Sequence, residues 1–279
     1  MIVSVASGKG GTGKTLVATN LAMSLDFPCQ LLDCDVEEPN AHLFLKPQIK
    51  KEEKVFKLVP KADVSKCQLC GKCQEVCVYN AIAVVGKKHL VFPQLCHGCG
   101  ACSYFCPHGA IVEEKQEIGV VTTGESLHVD VISGRMKIGE AMAPPVIRRV
   151  KEHIRPDMVA IIDAPPGTSC PVIESIKGSD FVILVTEPTP FGLNDFVLSV
   201  EVLRKLNIPF GAIINRSDLG NQETEDFCQK NGIEILMKIP FQKEIAEVYS
   251  RGDFIVEALP SFRQAFKELW EKIQPKVAV

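Results

Sequence analysis

Residues 8–15 read GKGGTGKT and stand between an apolar segment, IVSVAS, and a helix-like stretch that begins at Lys14. The pattern GxxxxGK(S/T) is satisfied, and it lies after a strand and before a helix, as a phosphate-binding loop requires. Such a loop turns backbone N–H groups and a helix N-terminus toward phosphate oxygens. The sequence therefore predicts a nucleotide-phosphate site in this loop. Its residues are Gly8, Gly10, Gly11, Thr12, Gly13, Lys14 and Thr15.

The loop contains two lysines, for which we expect different roles. Lys14 occupies the position that reaches the β- and γ-phosphates, and the Thr15 hydroxyl occupies the position that ligates Mg²⁺. Lys9 stands at the front of the loop and has no obvious phosphate of its own. Its role is therefore not explained by a single copy of the loop.

Four short apolar runs end in polar residues, as the buried strands of a parallel sheet do. They span residues 30–35, 159–163, 181–185 and 210–215. Helix-like stretches lie between them, at residues 14–25, 145–153, 194–206 and 222–231. This alternation predicts an α/β fold with a doubly wound, mostly parallel sheet.

Eight of the twelve cysteines lie between Cys67 and Cys106, in the runs CQLCGKCQEVC and CHGCGACSYFC. Each run is spaced C-x2-C-x2-C-x3-C, and the two are offset by 29 residues. We expect a cytoplasmic protein, because the chain opens with a strand and not a signal peptide. Twelve cysteines then indicate metal binding or catalysis and not six disulfides.

The spacing of the two runs is that of a bacterial two-cluster ferredoxin, in which the fourth cysteine of each run ligates the other cluster. Paired zinc sites are the alternative, although they favour two CxxC pairs separated by a longer loop. For two 4Fe–4S clusters, the first is expected on Cys67, Cys70, Cys73 and Cys106. The second is expected on Cys96, Cys99, Cys102 and Cys77.

The cysteine repeat interrupts the alternating strands and helices, so we interpret residues 61–112 as an inserted ferredoxin domain. Residues 1–60 and 113–279 would then form one discontinuous nucleotide-binding domain. The charged stretch KPQIKKEEKVFKLVPKAD, residues 46–63, precedes the repeat and is interpreted as a lysine-rich linker.

With Lys9 at its front, the loop resembles the deviant phosphate loop of the MinD/ParA/Mrp and nitrogenase iron-protein class. In that class the front lysine reaches the nucleotide of a partner subunit, so Lys9 is expected to act across a dimer. The resemblance also assigns catalytic roles to Lys14, Asp35 and Asp163. LLDCDVEEPN, residues 31–40, resembles switch I, in which Asp35 orients the attacking water and Asp33 ends the strand.

DAPPGT, residues 163–168, resembles switch II of the same class. There Asp163 holds Mg²⁺ through water, and the Gly167 N–H senses the γ-phosphate. INRSD, residues 214–218, resembles the adenine-side motif, in which Asn215 contacts the base. The segment around Pro240 is expected to close over adenine.

Four cysteines lie outside the two runs, and three of them are expected to be buried free thiols. These are Cys29, Cys34 and Cys228. Cys170 lies seven residues after Asp163, the offset at which the nitrogenase iron protein ligates a cluster between subunits. A core cysteine is one interpretation of Cys170, and a redox or metal role at a dimer axis is the other.

Two further features limit the possible partners. The net charge of −3 and the absence of a long apolar run give no case for nucleic acid or stable membrane association. Phe262, Phe266, Leu269, Trp270 and Ile273 form an apolar helical face near the C-terminus. Packing of this face on the sheet is favoured over membrane targeting.

The whole chain resembles MinD-superfamily (SIMIBI-type) P-loop ATPases that contain an inserted ferredoxin domain, a group found largely in anaerobes. The matching segments include GEAMAPP at 139–145, DAPPGTSCPVIES at 163–175 and VTEPTPFGLNDF at 185–196. The resemblance implies ATP or ADP, Mg²⁺ and two 4Fe–4S clusters as cofactors. It also implies a homodimer, or a heterodimer with a related ATPase.

Three functions remain open from the sequence. The first is an ATP-dependent switch that transfers low-potential electrons to a partner metalloprotein, as the nitrogenase iron protein does. The second is an assembly or carrier factor for an iron–sulfur or other metallocluster, with a client protein as partner. The third is a positioning ATPase like MinD or ParA, which would leave the ferredoxin insert without a use.

Overall fold

The computed structural model describes residues 1–277 of the 279-residue chain, and within them eleven strands and eleven α-helices follow one another. The strands are β1 (Ile2–Ala6), β2 (Cys29–Asp33), β3 (Gln48–Ala62), β4 (Ile82–Val85), β5 (Lys88–Val91), β6 (Ile111–Ser126), β7 (Val129–Met136), β8 (Val159–Asp163), β9 (Phe181–Thr186), β10 (Phe210–Asn215) and β11 (Ile235–Ile239).

A helix follows each of the strands β1, β2, β7, β8, β9, β10 and β11. The helices are α1 (Lys14–Ser24), α2 (Ala41–Leu45), α3 (Lys72–Glu75), α4 (Ala101–Tyr104), α5 (Pro144–Lys151), α6 (Cys170–Ile176), α7 (Pro190–Lys205), α8 (Glu223–Lys230), α9 (Lys243–Ser250), α10 (Ile255–Ala258) and α11 (Pro260–Val277).

Nine strands form one sheet in the order β11-β10-β9-β1-β8-β2-β7-β6-β3. Every pairing from β11 to β7 is parallel, whereas β6 and β3 continue the sheet in antiparallel fashion. The predicted α/β fold with a mostly parallel sheet is confirmed. The carboxyl ends of the parallel strands meet at one edge, where α/β sheets place their ligand sites.

Helices cover both faces of the sheet, which explains why its central strands read as continuous apolar runs. On β8, Ile161 packs into a core with α1, α10 and α11, whereas its neighbour Ile162 packs into a core with α5. Both side chains are fully buried. Each successive residue of the strand therefore contributes to a different hydrophobic layer.

The C-terminal helix α11 packs on the first of these layers, as its apolar face predicts. Phe266, Leu269 and Ile273 are fully buried, and Trp270 is nearly so. Among residues 1–277, no helix has the length and apolar character needed to cross a bilayer.

The interpretation of residues 46–63 as a linker is wrong, because most of this stretch is strand β3. Strand β3 pairs with β6 along its length, from Gln48 opposite Glu125 to Ala62 opposite Ile111. Its second half does alternate, with Val55, Lys57 and Val59 buried and with Lys54, Phe56 and Leu58 exposed. Lys57 occupies a buried position, so the two-residue period of apolar residues is interrupted and the charged stretch does not read as a strand.

The cysteine segment lies between β3 and β6 and contains two backbone units of the same shape. Helices α3 and α4 lie 29 residues apart, as do three pairs of residues with left-handed backbone. The pairs, with their φ angles, are Leu69 (55°) with Gly98 (64°), Gly71 (76°) with Gly100 (73°), and Asn80 (52°) with Gly109 (54°). The sequence repeat is thus a structural duplication.

Candidate functional site

The loop of residues 8–13 joins β1 to α1 and is packed tightly against its surroundings. A Cβ on Gly8 would overlap the carbonyl group of Asp195, and Gly13 has a left-handed φ of 97°. The Asn215 Nδ2 donates to the Thr12 carbonyl oxygen over 2.8 Å. These contacts hold the loop in one shape, with the amino end of α1 behind it.

The end of the loop brings together residues that the sequence assigned to Mg²⁺ and phosphate. The Thr15 Oγ1 donates to the Asp163 Oδ2 over 2.7 Å, although the two residues are 148 positions apart. Within residues 1–277, the Asp163 Oδ1 and the Thr12 Oγ1 are buried and lack a hydrogen-bond partner. Buried polar atoms are rarely left unpaired, so this arrangement fits a hydrated cation beside Asp163 and a phosphate oxygen beside Thr12.

Three aspartates gather near this point, and burial raises the pKa of each carboxyl. Burial raises the pKa of Asp163 to about 7 against the opposing effects of Thr15 and Lys14, and it raises the pKa of Asp35 to about 6. Asp33 is fully buried, and burial together with the neighbouring charge of Asp163 raises its pKa well above the usual range. A bound cation would relieve this cost of burying negative charge.

Asp33 also stabilises the loop that follows β2. Its carboxylate accepts hydrogen bonds from the Asp35 backbone N–H over 3.2 Å and from the Ala41 N–H over 3.0 Å. The first of these bonds fixes the backbone of Asp35, the residue expected to orient the attacking water. Lys14 is only 6% exposed at the start of α1 and lowers the pKa of Asp35 by its charge.

Lys9 contacts an acidic residue of its own chain. Its Nζ lies 3.1 Å from the Glu187 Oε2, and the Arg216 Nη1 donates to the Glu187 Oε1 over 2.6 Å. Glu187 follows β9 directly and is 5% exposed. No sequence motif predicts this pairing, because Glu187 lies 178 positions after Lys9.

Gly167, the expected γ-phosphate sensor, and Asn215, the expected contact of the base, both form hydrogen bonds within the chain. The Gly167 N–H donates to the Ser7 carbonyl oxygen over 2.9 Å. The Asn215 Oδ1 accepts from the Arg216 N–H over 3.0 Å. Gly167 would have to give up its bond to Ser7 before it could donate to a phosphate.

A pocket of about 340 Å³ opens beside the loop, within the size range of ligand sites. Its walls come from the loop and from the segments after β10 and β11, and they include Asn215 and Pro240. Leu16, Phe241 and Ile245 add apolar surface suited to a flat base. Asn215 therefore lines this pocket as well as supporting the phosphate loop.

Three of the four cysteines of the second run line a cavity together with one cysteine of the first run. Its lining contains Cys77, Cys96, Cys99 and Cys102. Cys77 also packs beside Cys96, and Cys106 packs in a separate small core with Cys73 and Cys102. Within residues 1–277, no three potential ligands are close enough to share a single metal ion.

Backbone N–H groups point at several of these sulfurs. The Ala81 N–H donates to the Cys77 Sγ over 3.3 Å, and the Ala110 N–H donates to the Cys106 Sγ over 3.3 Å. Burial raises the pKa of Cys106, but hydrogen bonds from four backbone amides outweigh it and leave that pKa below its ordinary value. Thiolates with such donors are the ligands that iron–sulfur clusters use, so the donor set fits.

A buried ion pair connects the cysteine segment to the main sheet. The Lys57 Nζ of β3 donates to the Glu140 Oε1 over 2.5 Å and to the Pro93 carbonyl oxygen over 2.9 Å. The Lys57 and Glu140 side chains are 4% and 5% exposed. Pro93 lies just before Cys96, so one ammonium group joins three separate stretches of chain.

The loop that contains Glu140 leads into α5, and α5 contacts α6. The Lys151 Nζ donates to the carbonyl oxygens of Glu174 and Ser175, both over 2.8 Å, and of Lys177 over 2.6 Å. Helix α6 follows the Asp163–Gly167 stretch. A continuous series of contacts therefore runs from the phosphate site to the second cysteine run.

The remaining cysteines and the histidines of the segment have distinct environments. Cys29, Cys34 and Cys228 are fully buried, whereas Cys170 is exposed at the first position of α6. His97 stacks on Tyr79 with 3.6 Å between the ring centroids. The His89 Nε2 lies 3.4 Å from the Cys73 Sγ, a contact that the spacing of the cysteines could not reveal.

Comparison with known proteins places this architecture among nucleotide-binding proteins. The family model CbiA, the CobQ/CobB/MinD/ParA nucleotide binding domain, matches residues 3–255. A relative from Methanocaldococcus jannaschii, described as uncharacterized, is 32% identical over 258 residues, which are 91% of this chain and 90% of the relative.

A second relative and a solved structure add to this result. The iron-sulfur cluster carrier protein of Pyrococcus horikoshii is 27% identical over 304 residues, covering 99% of this chain and 86% of the relative. The septum site-determining protein MinD of Pyrococcus horikoshii, solved with Mg-ADP, matches with a TM-score of 0.60 and 21% identity, covering 100% of this chain and 99% of that one. At this identity the likeness shows the fold alone.

Proposed function

The chain belongs to the CobQ/CobB/MinD/ParA family of nucleotide-binding domains, and we propose that it is a dimeric, Mg-ATP-dependent switch that carries two 4Fe–4S clusters. ATP binding and hydrolysis would control the transfer of low-potential electrons to a partner metalloprotein. Residues 1–60 and 113–279 would form the ATPase domain, and residues 61–112 the ferredoxin domain.

The nucleotide half of this proposal is supported by the atoms around the phosphate loop. Lys14 and the loop amides would bind the phosphates, Thr15 and Asp163 would hold Mg²⁺, and Asp35 would orient the attacking water. Phosphoryl transfer needs such positioning and charge neutralisation more than a covalent nucleophile. The unpartnered Asp163 Oδ1 and Thr12 Oγ1 are the atoms that these ligands would satisfy.

The cavity lined by Cys77, Cys96, Cys99 and Cys102 is the single observation that carries the iron–sulfur half. One cysteine of the first run lines this cavity with three cysteines of the second run. A two-cluster ferredoxin is expected to show this arrangement, because the fourth cysteine of each run ligates the other cluster. A 4Fe–4S group bound there would take up or release one electron. The chain would hold its sulfurs with backbone amides and connect its binding loop to the sheet through Lys57.

The proposal is tested by reconstituting the clusters anaerobically and recording iron content, EPR spectra and midpoint potentials with and without Mg-ATP. We expect two 4Fe–4S signals and a nucleotide-dependent shift in at least one of them. The shift should be absent from Lys14→Ala, which would retain both clusters. Electron transfer to a co-purifying metalloprotein at the same rate without nucleotide would contradict the proposal.

A second candidate is an iron–sulfur cluster carrier, and a specific observation favours it. Cys170 is exposed at the start of α6, immediately after the stretch that contains Asp163 and Gly167. The Pyrococcus horikoshii relative is also named as an iron-sulfur cluster carrier protein. ATP-dependent release of a labile cluster to an apo-protein, lost in Cys170→Ser, would support this function. Normal transfer by that variant would remove its main support.

A further inference from the structure

A groove of about 720 Å³ lies beside the first cysteine run, and we call it the lysine groove. It is formed by the end of β3, by β5 and by the start of β6. Its cationic lining consists of Lys61, Lys87, Lys88 and Lys115. Glu114 is the acidic residue among the lining residues, so positive charge predominates.

Most of the positive charge in the lysine groove is not neutralised by the chain itself. Lys61 pairs with Glu114 over 2.7 Å. Lys87, Lys88 and Lys115 are exposed and form no ion pair within residues 1–277. The chain as a whole has a net charge of −3, so this cationic surface is a local feature.

The groove also reaches one cysteine of the first run and, through His89, approaches a second. Cys67 is one of its lining residues. His89 lines it too, with its Nε2 3.4 Å from the Cys73 Sγ. A molecule bound in the groove would therefore contact the surroundings of the cluster that we propose on Cys67, Cys70, Cys73 and Cys106.

The cavity beside the second cysteine run lacks this charge. The cavity around Cys77, Cys96, Cys99 and Cys102 has Glu113 in its lining and no lysine. The 29-residue offset places Lys115, Gln116 and Glu117 where the first half has Gly86, Lys87 and Lys88. The cavity beside the second run thus differs in charge from the lysine groove.

We propose that the lysine groove docks an acidic electron-transfer protein, which exchanges one electron with the group held by Cys67, Cys70, Cys73 and Cys106. This inference rests on the proposed function. Unpaired lysines complement a surface rich in Asp and Glu and accelerate its encounter. The groove is also open, with apolar surface from Val59, Leu90 and Val91, which a protein covers better than a small anion does.

The electron count of this step is balanced. When the partner is the donor, it is oxidised by one electron, and that electron enters the group on the first-run cysteines. No bond forms or breaks, and no further reactant is needed.

The test measures binding of a purified, acidic, bacterial-type two-cluster ferredoxin to the reconstituted holoprotein by calorimetry at several salt concentrations. We expect Lys87→Glu/Lys88→Glu to raise the Kd at least tenfold and to flatten its salt dependence. Lys205→Glu/Lys230→Glu changes the charge equally at exposed positions of α7 and α8 and should bind as the unmodified protein does.

Three outcomes would overturn the inference. One is equal binding of the ferredoxin by both double variants. Another is saturation of the groove by millimolar inorganic phosphate without any ferredoxin binding. The third is failure of the protein to assemble clusters, seen in the iron content and EPR spectra of each preparation. That result would defeat the proposed function and this inference with it. Intact clusters with unchanged binding would defeat this inference alone.

Discussion

Lys9 and Glu187 form an ion pair within one chain, with 3.1 Å between the Nζ and the Oε2. Arg216 occupies the other oxygen of the same carboxylate. Lys9 thus pairs within its own chain, whereas its proposed role is to reach the nucleotide of a partner subunit. Closure of a dimer would require it to exchange Glu187 for a phosphate.

Replacing Glu187 with glutamine should make this exchange easier. The amide keeps the shape of the side chain but removes the charge that holds Lys9, so ATP-dependent dimerisation should strengthen about 3- to 10-fold, or about 1 kcal/mol. Analytical ultracentrifugation with a non-hydrolysable ATP analogue measures the change. An unaltered dimerisation constant would show that the pair does not oppose closure.

Replacing Lys9 with alanine should separate nucleotide binding from dimer closure. Lys14 and the loop amides remain, so the affinity of the monomer for Mg-ADP should change less than about threefold. ATP-dependent dimerisation should be lost, because the cation that crosses to the partner is missing. Lys14→Ala is the matched comparison and should lose nucleotide binding itself. Normal closure and hydrolysis by Lys9→Ala would refute the role proposed for the front lysine.

Hydrolysis should depend on the ionisation of Asp35. Burial raises the pKa of this carboxyl to about 6, and the ionised form is the stronger hydrogen-bond acceptor for the attacking water and the form that can take its proton. The rate should therefore fall as the pH drops through that pKa, by about tenfold per unit below it. Asp35→Asn should be about 10²- to 10⁴-fold slower and lack this acid limb. Single-turnover phosphate release across pH 5–8 tests both, and an Asp35→Asn enzyme with the parental profile would contradict them.

If the fourth cysteine of each run ligates the cluster of the other run, cysteine variants from different runs should affect the same EPR signal. Cys77→Ala and Cys99→Ala should disturb the same EPR signal, and Cys106→Ala and Cys70→Ala the other. Each variant should retain about half of the iron after reconstitution. Cys228→Ala is the control, since this buried cysteine packs in the hydrophobic core near α8. If Cys77→Ala instead matches Cys70→Ala, each run holds its own cluster.

The Lys57–Glu140 pair should behave as a buried ion pair does in a double-mutant cycle. Lys57→Met leaves the Glu140 carboxylate unpaired and should lower the free energy of unfolding by about 3–5 kcal/mol. Lys57→Met/Glu140→Leu should recover much of that loss, because neither charge is then buried alone. Urea unfolding of both variants and of Glu140→Leu gives the coupling energy. Additive losses would mean that the two groups do not stabilise each other.

The central strands could be predicted because continuous apolar runs of five or six residues are typical of buried parallel strands in an α/β fold. Residues 159–163 and 210–215 form β8 and β10 as expected. Strand β3 was missed, since it lies at the edge of the sheet and carries charge on its exposed positions. Edge strands are commonly protected by lysine, which makes them resemble solvated chain.

Within the candidate site, the sequence indicated residue types but not contacts made across the fold. The phosphate-loop motif assigns Thr15 to Mg²⁺, and the resemblance of DAPPGT to switch II assigns Asp163 to the same ion. In the structure the Thr15 Oγ1 and the Asp163 Oδ2 lie 2.7 Å apart. The roles of Glu187 and Lys57 could not be predicted, because their ion-pair partners Lys9 and Glu140 lie 178 and 83 residues away in the sequence. A local sequence pattern does not predict such pairs, because their members come into contact only in the folded sheet.

The pairing of Ala62 with Ile111 has a consequence for the history of this chain. The cysteine segment leaves the sheet after Ala62 and returns to it at Ile111, which are paired neighbours on β3 and β6. If the segment were removed, a short turn between these two residues would join β3 and β6 as a hairpin. An ancestral gene could have acquired such a segment in a single insertion, without rethreading any strand. Related genes could lose or exchange it by recombination at the same two points and still encode an intact sheet.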